Sequence, residues 1–99
     1  MTAPLTAAVI GLGVGESHAR AYLLDANSRL KWLVDKDHCR AESLAAELGA
    51  KAGEEAAVLF DPEVNVLSIA SYDDMHAQQV VAALRAGKHV LSEKPAAPT

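Results

Sequence analysis

Apolar and polar positions along this chain follow two alternating periods. Short apolar runs, typical of buried strands, alternate with longer segments in which apolar residues recur every three or four positions, typical of amphipathic helices. Residues 8–21 pass from an apolar run through a glycine cluster into such a helical segment. The pattern therefore predicts a strand, a tight turn and a helix at the start of an α/β fold with a parallel sheet.

The rest of the chain repeats this alternation. Turn residues bound the apolar runs, and capping residues or glycines bound the helical segments. The expected elements are a helix at 16–25, a strand at 29–35, a helix at 38–48, a short strand at 50–52, a short helix at 53–60, a strand at 64–70, a helix at 75–86 and a strand at 88–92. Helical spacing predicts buried faces made of Ala19, Tyr22, Leu23 and Ala26, then Ala41, Leu44, Ala45 and Leu48, and finally Val80, Ala83 and Leu84.

The glycine cluster is the first candidate binding site. Gly11 can adopt the positive φ of a sharp turn, Gly13 has no Cβ to keep phosphates off the backbone, and Gly15 lets the helix lie close to the strand. Glu16 stands where the fingerprint G-x-G-x-x-G has its third glycine, and it would repel phosphate unless it points outward. The spacing also fits the S-adenosylmethionine loop of many methyltransferases, or a turn that binds nothing.

A second candidate lies about 20 residues further on. Asp35 ends the second predicted strand, where a dinucleotide-binding fold places the acceptor for the adenosine ribose hydroxyls. Helix capping is the alternative role, but Asp37 is better placed for it. The carboxylate of Asp35 would repel a 2′-phosphate and so favours NAD, although the neighbouring Lys36 weakens this preference and leaves NADP as an alternative.

Strand order then brings the candidates together. Right-handed crossovers predict a Rossmann-type, doubly wound sheet of five strands in the order 3-2-1-4-5. The ligand crevice should lie at the carboxyl ends of strands one and four, where the order reverses. Four polar or glycine segments fall on that edge, namely Gly11–Gly15, Asp35, Ser71–Asp74 and Glu93–Pro95.

Composition narrows the class of protein. The apolar fraction is 51%, but 20 residues are alanine, so the core depends on close packing of helices on the sheet. A net charge of −4 without a Lys/Arg cluster argues against nucleic-acid or anionic-membrane partners. No long apolar span or signal-like segment is present, which favours the cytoplasm. Cys39, the single cysteine, has no disulfide partner within the chain, and no metal site is predicted.

A family resemblance becomes specific near the end of the chain. Residues Ala83–Pro95, A-L-R-A-G-K-H-V-L-S-E-K-P, resemble the N-terminal domain of the glucose-fructose oxidoreductase / inositol dehydrogenase / rhizopine-catabolism (Gfo/Idh/MocA) family. The resemblance extends over essentially the whole chain. It implies a domain that binds NAD or NADP, followed by a larger C-terminal domain that supplies most of the substrate pocket and the oligomer interface. Members transfer hydride to or from sugars, polyols and related carbonyl compounds.

The resemblance assigns the adenosine half of the cofactor to residues already singled out. The backbone of Gly11, Leu12, Gly13, Val14 and Gly15 would hold the pyrophosphate. Asp35, with Lys36 beside it, would bind the adenosine ribose.

The nicotinamide half would lie along the loop after the fourth strand. The resemblance implies that Ser71 and Asp73 line this side, with Tyr72 where the family often has proline. His76 matches the histidine that opens the next helix, where packing or helix-start hydrogen bonding is favoured over catalysis.

The E-K-P motif carries the expected chemistry. By resemblance, Lys94 would reach the oxygen of the reacting carbon, and Glu93 would help to hold the loop near the cofactor. An ammonium in this position stabilises a developing oxyanion, and partial burial would lower its pKa toward a value useful for proton transfer.

The resemblance also implies that the sequence is incomplete. Residues 1–99 correspond to an unfinished nucleotide-binding domain without the substrate and oligomerisation domain, so these 99 residues alone are expected to be inactive. The longer protein is expected to be a homo-oligomer that acts on a sugar or polyol. Two alternatives stay open: a stand-alone nucleotide sensor and a fragment of an S-adenosylmethionine-dependent methyltransferase.

Overall fold

The chain folds as alternating strands and helices. The computed structural model describes residues 5–13, 15–70 and 76–92. Its elements are β1 (Leu5–Ile10), α1 (Gly15–Leu24), β2 (Ser28–Val34), α2 (His38–Leu48), β3 (Lys51–Ala52), α3 (Glu55–Leu59), β4 (Val66–Ile69), α4 (His76–Arg85) and β5 (His89–Ser92). Among these described residues no helix has the length and apolar character needed to cross a membrane.

The five strands form one parallel sheet in the order β3-β2-β1-β4-β5. This order and the α/β Rossmann-type fold confirm the prediction from the sequence. β1 lies between β2 and β4, so the chain reverses its direction of winding beside β1. The carboxyl ends of β1, β2 and β4 are joined there, because Gly11 N–H donates to Val34 O at 2.8 Å and Ala70 N–H donates to Ile10 O at 2.8 Å. We call this edge the rim.

A separate hydrophobic cluster covers each face of the sheet. One contains Val9 and Leu33 of the sheet with Ala19 of α1 and Leu44 of α2. The other contains Ile10 and Leu67 of the sheet with Val58 of α3 and Ala83 of α4. Ala7, Ala8, Ala19 and Ala83 are fully buried, which agrees with the expectation that small residues bring helices close to the sheet.

The helical pattern predicts α2 fully and the other helices less accurately. Asp37 accepts a hydrogen bond from Arg40 N–H and caps α2, whereas Gly49 ends it with φ 74°. Leu23, Ala26 and Leu84 were wrongly expected to be buried. Leu23 and Leu84 are 46% and 57% exposed, and Ala26 lies in the turn after α1. α1 and α4 each touch the sheet along a narrower stripe than the apolar pattern suggested.

Strand boundaries also differ from the pattern. β4 begins at Val66 rather than residue 64, and β3 has only two residues. β2 contains a bulge, because Ala7 pairs with Leu30 and Ala8 with Trp32, which leaves Lys31 as an extra residue. Side chains normally alternate between the two faces of a strand, and a bulge interrupts this alternation. The polar-apolar pattern alone therefore could not show that Lys31 and Trp32 lie on the same face.

A polar cluster ties this bulge to the loop before β4. The Asp61 carboxylate accepts a hydrogen bond from Trp32 Nε1 at 2.8 Å and pairs with Lys31 Nζ at 2.6 Å. Lys88 Nζ donates to the Asp61 main-chain oxygen at 2.6 Å. The Lys31 ammonium, and then the Trp32 indole, hold the pKa of Asp61 well below its usual range. Asp61 therefore joins β2 to the loops that enter β4 and β5.

Replacing Asp61 by asparagine should destabilise the fold at neutral pH. Asparagine retains an acceptor for Trp32 but loses the charge that pairs with Lys31. We expect a loss of roughly 1 kcal/mol at pH 7, or about 4–8 °C in Tm. Since the folded-state pKa is lowered, the contribution is complete above the unfolded-state pKa of about 3.9 and is lost progressively as the pH falls from there through the lowered folded-state pKa. Thermal unfolding of both proteins at pH 7 and pH 3 tests this, and an equal difference at both values would contradict it.

Candidate functional site

The glycine turn connects β1 to α1 at the rim. Gly11 has φ 91°, a value that residues with a side chain rarely adopt, and this confirms the sharp turn expected at that position. Gly13 is exposed, whereas the side chain of Leu12, which lies between Gly11 and Gly13, is fully buried. The turn is therefore anchored in the core by Leu12 and presents Gly13 to solvent.

Gly15 allows α1 to approach the sheet. A Cβ atom at this position would lie 2.8 Å from Val9 Cγ1 and 3.5 Å from Ala70 Cβ. Val9 is fully buried and has little space to move away. The predicted role of Gly15 in close packing is therefore confirmed, and this packing directs the first turn of α1 toward the rim.

Asp35 connects the second strand to the glycine turn. Its Oδ2 accepts a hydrogen bond from Leu12 N–H at 2.7 Å, and its Oδ1 accepts one from Asp37 N–H at 3.0 Å. A carboxylate has about four acceptor positions, so these two bonds leave capacity for a ligand's hydroxyl groups. Asp37, rather than Asp35, caps α2. The structure thus brings the predicted ribose ligand and the predicted pyrophosphate turn together.

Glu16 does not stand as an isolated charge beside the turn. Its Oε1 accepts a hydrogen bond from Arg40 Nη2 at 3.0 Å, and its Oε2 accepts one from Arg20 Nε at 3.0 Å. Arg20 Nη2 continues the chain of charges to Glu47 at 2.8 Å. The repulsion of phosphate expected from Glu16 is therefore offset by two guanidinium groups. We call these four residues the Glu16 network.

Arg40 is a residue that the sequence patterns did not single out. Its Nη2 also donates to the main-chain oxygen of Leu12 at 2.8 Å. Leu12 is therefore held through its N–H by Asp35 and through its oxygen by Arg40, both from the β2–α2 segment. The position of Arg40 in the first turn of α2, five residues after Asp35, is the only signal in the sequence that could have indicated it.

Other predicted site residues are less fully described. Lys36 is exposed beside Asp35. The predictions for Val14, Ser71, Tyr72, Asp73, Glu93 and Lys94, and for the side chain of His76, lie outside the described residues. β4 and β5, which precede two of these segments, are described to Ile69 and Ser92.

Two further features of the described residues lie apart from the rim or are absent from it. No group of three or more His, Cys, Asp or Glu side chains in these ranges could hold a metal ion. An apolar groove of about 950 Å³ lies between α3 and α4, where Phe60 and Val81 form part of its lining. Neither the glycine turn nor Asp35 lines this groove, and its chemistry is unlike that of the rim.

The rim has the features that a nicotinamide dinucleotide requires. Gly13 is exposed between two structurally constrained glycines, and helix α1 begins at Gly15, where the first main-chain N–H groups of an α-helix have no partner within the helix and favour an anion. Asp35 lies one hydrogen bond from the same turn. The described residues therefore fit the pyrophosphate and the adenosine ribose of such a cofactor.

Comparison with known proteins gives the same picture. A model described as an oxidoreductase family with an NAD-binding Rossmann fold matches residues 5–99. Inositol 2-dehydrogenase 2 of Saccharopolyspora erythraea is 38% identical over 95 residues, which cover 92% of this chain and 28% of that protein. The chain thus spans less than a third of the length of this curated relative.

Solved structures superpose closely on the chain. GenD2 from gentamicin A biosynthesis, solved in complex with NAD, has a TM-score of 0.89 and 32% identity, over 96% of this chain and 28% of that chain. Biliverdin reductase from Synechocystis sp., solved with biliverdin and NADP+, has a TM-score of 0.86 and 28% identity, over 97% of this chain and 31% of that chain. Neither the sensor nor the methyltransferase alternative gains support from these similarities.

Proposed function

This chain belongs to the Gfo/Idh/MocA oxidoreductase family, and on that premise we propose that it is the cofactor-binding part of a nicotinamide-dependent oxidoreductase. The observation that carries the proposal is the 2.7 Å hydrogen bond from Leu12 N–H to Asp35 Oδ2. It brings a carboxylate and a glycine turn to one rim, as a dinucleotide requires, because its adenosine ribose is joined directly to its pyrophosphate.

Different residues of the rim bind different parts of the cofactor. The backbone from Gly11 to Gly15 holds the pyrophosphate, because a helix start supplies N–H donors and a favourable dipole for an anion. Asp35 accepts hydrogen bonds from the adenosine ribose. The bound cofactor supplies the site with a carrier for hydride, which no protein side chain provides.

NAD is the proposed cofactor, with NADP as the less favoured one. Asp35 places a negative charge where NADP carries its additional phosphate, and Arg40 is already paired with Glu16 at 3.0 Å. The solved relatives include one with NAD and one with NADP+, so the family resemblance alone does not decide between the two.

The proposed reaction is hydride transfer to or from a sugar, polyol or related carbonyl compound. Inositol 2-dehydrogenase 2 supports this substrate class. We assign Lys94 the role of stabilising the negative charge that develops on the oxygen of the reacting carbon, on the basis of the E-K-P motif. Because substrate positioning supplies much of an enzyme's rate, we also propose that residues 1–99 alone bind cofactor only weakly and do not turn over substrate.

Ligand-dependent stability distinguishes this function from the methyltransferase alternative. NAD+ at ten times its Kd should stabilise the chain by about 1.4 kcal/mol, whereas S-adenosylmethionine at the same concentration should leave Tm unchanged. Thermal unfolding monitored by circular dichroism, together with NADH fluorescence titration, measures both effects. Stabilisation by S-adenosylmethionine alone, or non-saturating NADH curves at millimolar concentrations, would reject the proposal.

A further inference from the structure

The charges of the Glu16 network balance one another. Glu16 lies between Arg40 and Arg20, at 3.0 Å from each, and Arg20 also pairs with Glu47 at 2.8 Å. Two carboxylates and two guanidinium groups therefore form one chain across the surfaces of α1 and α2. Removing the charge of Glu16 would leave Arg40 without this acidic partner and the network with a net positive charge.

Arg40 lies close to the proposed ribose site. Its Nη2 is 2.8 Å from Leu12 O, and Asp35 Oδ2 is 2.7 Å from Leu12 N. The N and O atoms of one residue are about 3.5 Å apart, so these two side chains can be separated by no more than about 9 Å. That is about one Debye length in physiological salt. A charge on Arg40 is therefore only partly screened from a group bound at Asp35.

We propose that Glu16 sets the cofactor preference of this chain by pairing with Arg40, so that the Arg40 guanidinium does not bind the 2′-phosphate of NADP. The inference rests on the proposed function, since it concerns the same nucleotide site. NADP differs from NAD by one phosphate on the adenosine ribose, and arginine is well suited to bind phosphate through paired N–H donors. While Arg40 binds Glu16 and Leu12 O, a 2′-phosphate must compete with a carboxylate for it.

Glu16 thus acts through Arg40 and is a positioning residue. It occupies the place where the common fingerprint has its third glycine, a residue that could not supply this carboxylate. The unusual glycine spacing thus places two functions side by side. The glycine turn binds the pyrophosphate, and Glu16, which follows it, discriminates against NADP.

The test compares NADH and NADPH binding to the chain by fluorescence titration. The measured quantity is the ratio of the NADPH Kd to the NADH Kd. In Glu16→Gln this ratio should fall about 3- to 10-fold, the range expected for releasing one partly exposed charge next to a phosphate. Adding Arg40→Ala to Glu16→Gln should return the ratio to its original value. Glu47→Gln is the matched control, because it removes a carboxylate from the same network that pairs with Arg20 instead of Arg40.

The possible results distinguish whether Glu16 acts on NADPH binding through Arg40. An unchanged ratio in Glu16→Gln overturns the inference while leaving the proposed function intact, provided that NADH still binds. An equal fall in Glu47→Gln would show a general charge effect and would also overturn it. A gain in NADPH affinity that survives Arg40→Ala would assign the effect to another cation, such as Lys36. If neither nucleotide gives a saturable curve with the unmodified chain, the proposed function fails and the inference fails with it.

Discussion

Replacing Asp35 by alanine is expected to weaken NADH binding by about 10- to 150-fold. This range corresponds to the roughly 1.5–3 kcal/mol contributed by a hydrogen bond to a charged group. In the structure the carboxylate already orders the rim, and in the proposed complex it also accepts hydrogen bonds from the adenosine ribose. NADH fluorescence titration of the two proteins measures the change.

The dual role of Asp35 requires a second variant. Alanine removes the acceptor for Leu12 N–H, at 2.7 Å, and for Asp37 N–H, at 3.0 Å, and so loosens the glycine turn as well. Asp35→Asn retains one side-chain oxygen and the size of the side chain. Its NH2 group must face one of these two N–H donors, so we expect Asp35→Asn to lose some stability, but less than Asp35→Ala, and to bind NADH at least about tenfold more weakly. Normal NADH binding by Asp35→Asn would contradict a role for the charge.

Asp25 provides a matched control. Its Oδ1 accepts the N–H of Asn27 at 2.8 Å, the same bond to the second following residue that Asp35 makes with Asp37. Asp25 precedes β2, at the edge of the sheet opposite the rim. Asp25→Ala should therefore leave NADH affinity within about twofold, well below the effect of one hydrogen bond to a charged group. Comparable losses in both variants would indicate a general effect on folding.

Gly15→Ala is expected to produce the largest loss of stability, about 1–3 kcal/mol. The added Cβ would lie 2.8 Å from Val9 Cγ1, and Val9 is fully buried beneath α1. The helix must move outward or Val9 must leave its preferred rotamer. In a domain of this size the change corresponds to a fall in Tm of about 4–24 °C. Chemical denaturation and thermal unfolding measure it.

A double-mutant cycle locates the origin of that loss. Val9→Ala removes the methyl group that the new Cβ would meet, so Gly15→Ala should be less costly in the Val9→Ala background by at least about 1 kcal/mol. Additive effects of the two substitutions would show that the helix start, and not contact with Val9, is responsible.

The sequence predicted the architecture well because two separate signals agreed. The alternation of apolar runs and helical segments defined five strands, and the handedness of crossovers then gave their order. Gly11 and Asp37 could be assigned because positive φ and capping depend on local chemistry. Leu23 and Leu84 could not, since exposure depends on how far a helix rolls against the sheet.

The candidate site was predictable only in part. Asp35 could be placed at the rim because a strand end and a glycine turn must meet at the edge of a parallel sheet. The pairing of Glu16 with Arg20 follows the i,i+4 spacing of a helix and is open to prediction, whereas its pairing with Arg40 is not, because Arg40 is 24 residues away on another helix. The bulge at Lys31 was hidden for a similar reason, since only the pairing of β2 with β1 shows it.

Amide chemical shifts recorded during a titration with NAD+ test the central claim most directly. The claim is that one rim, made by the glycine turn and Asp35, binds the dinucleotide. It predicts that the amides of Leu12, Gly13 and Asp37 shift together with a single Kd, while those of Arg29 and Glu63 at the opposite edge stay in place. Shifts confined to Phe60 and Val81 in the apolar groove, with the rim unchanged, would contradict it.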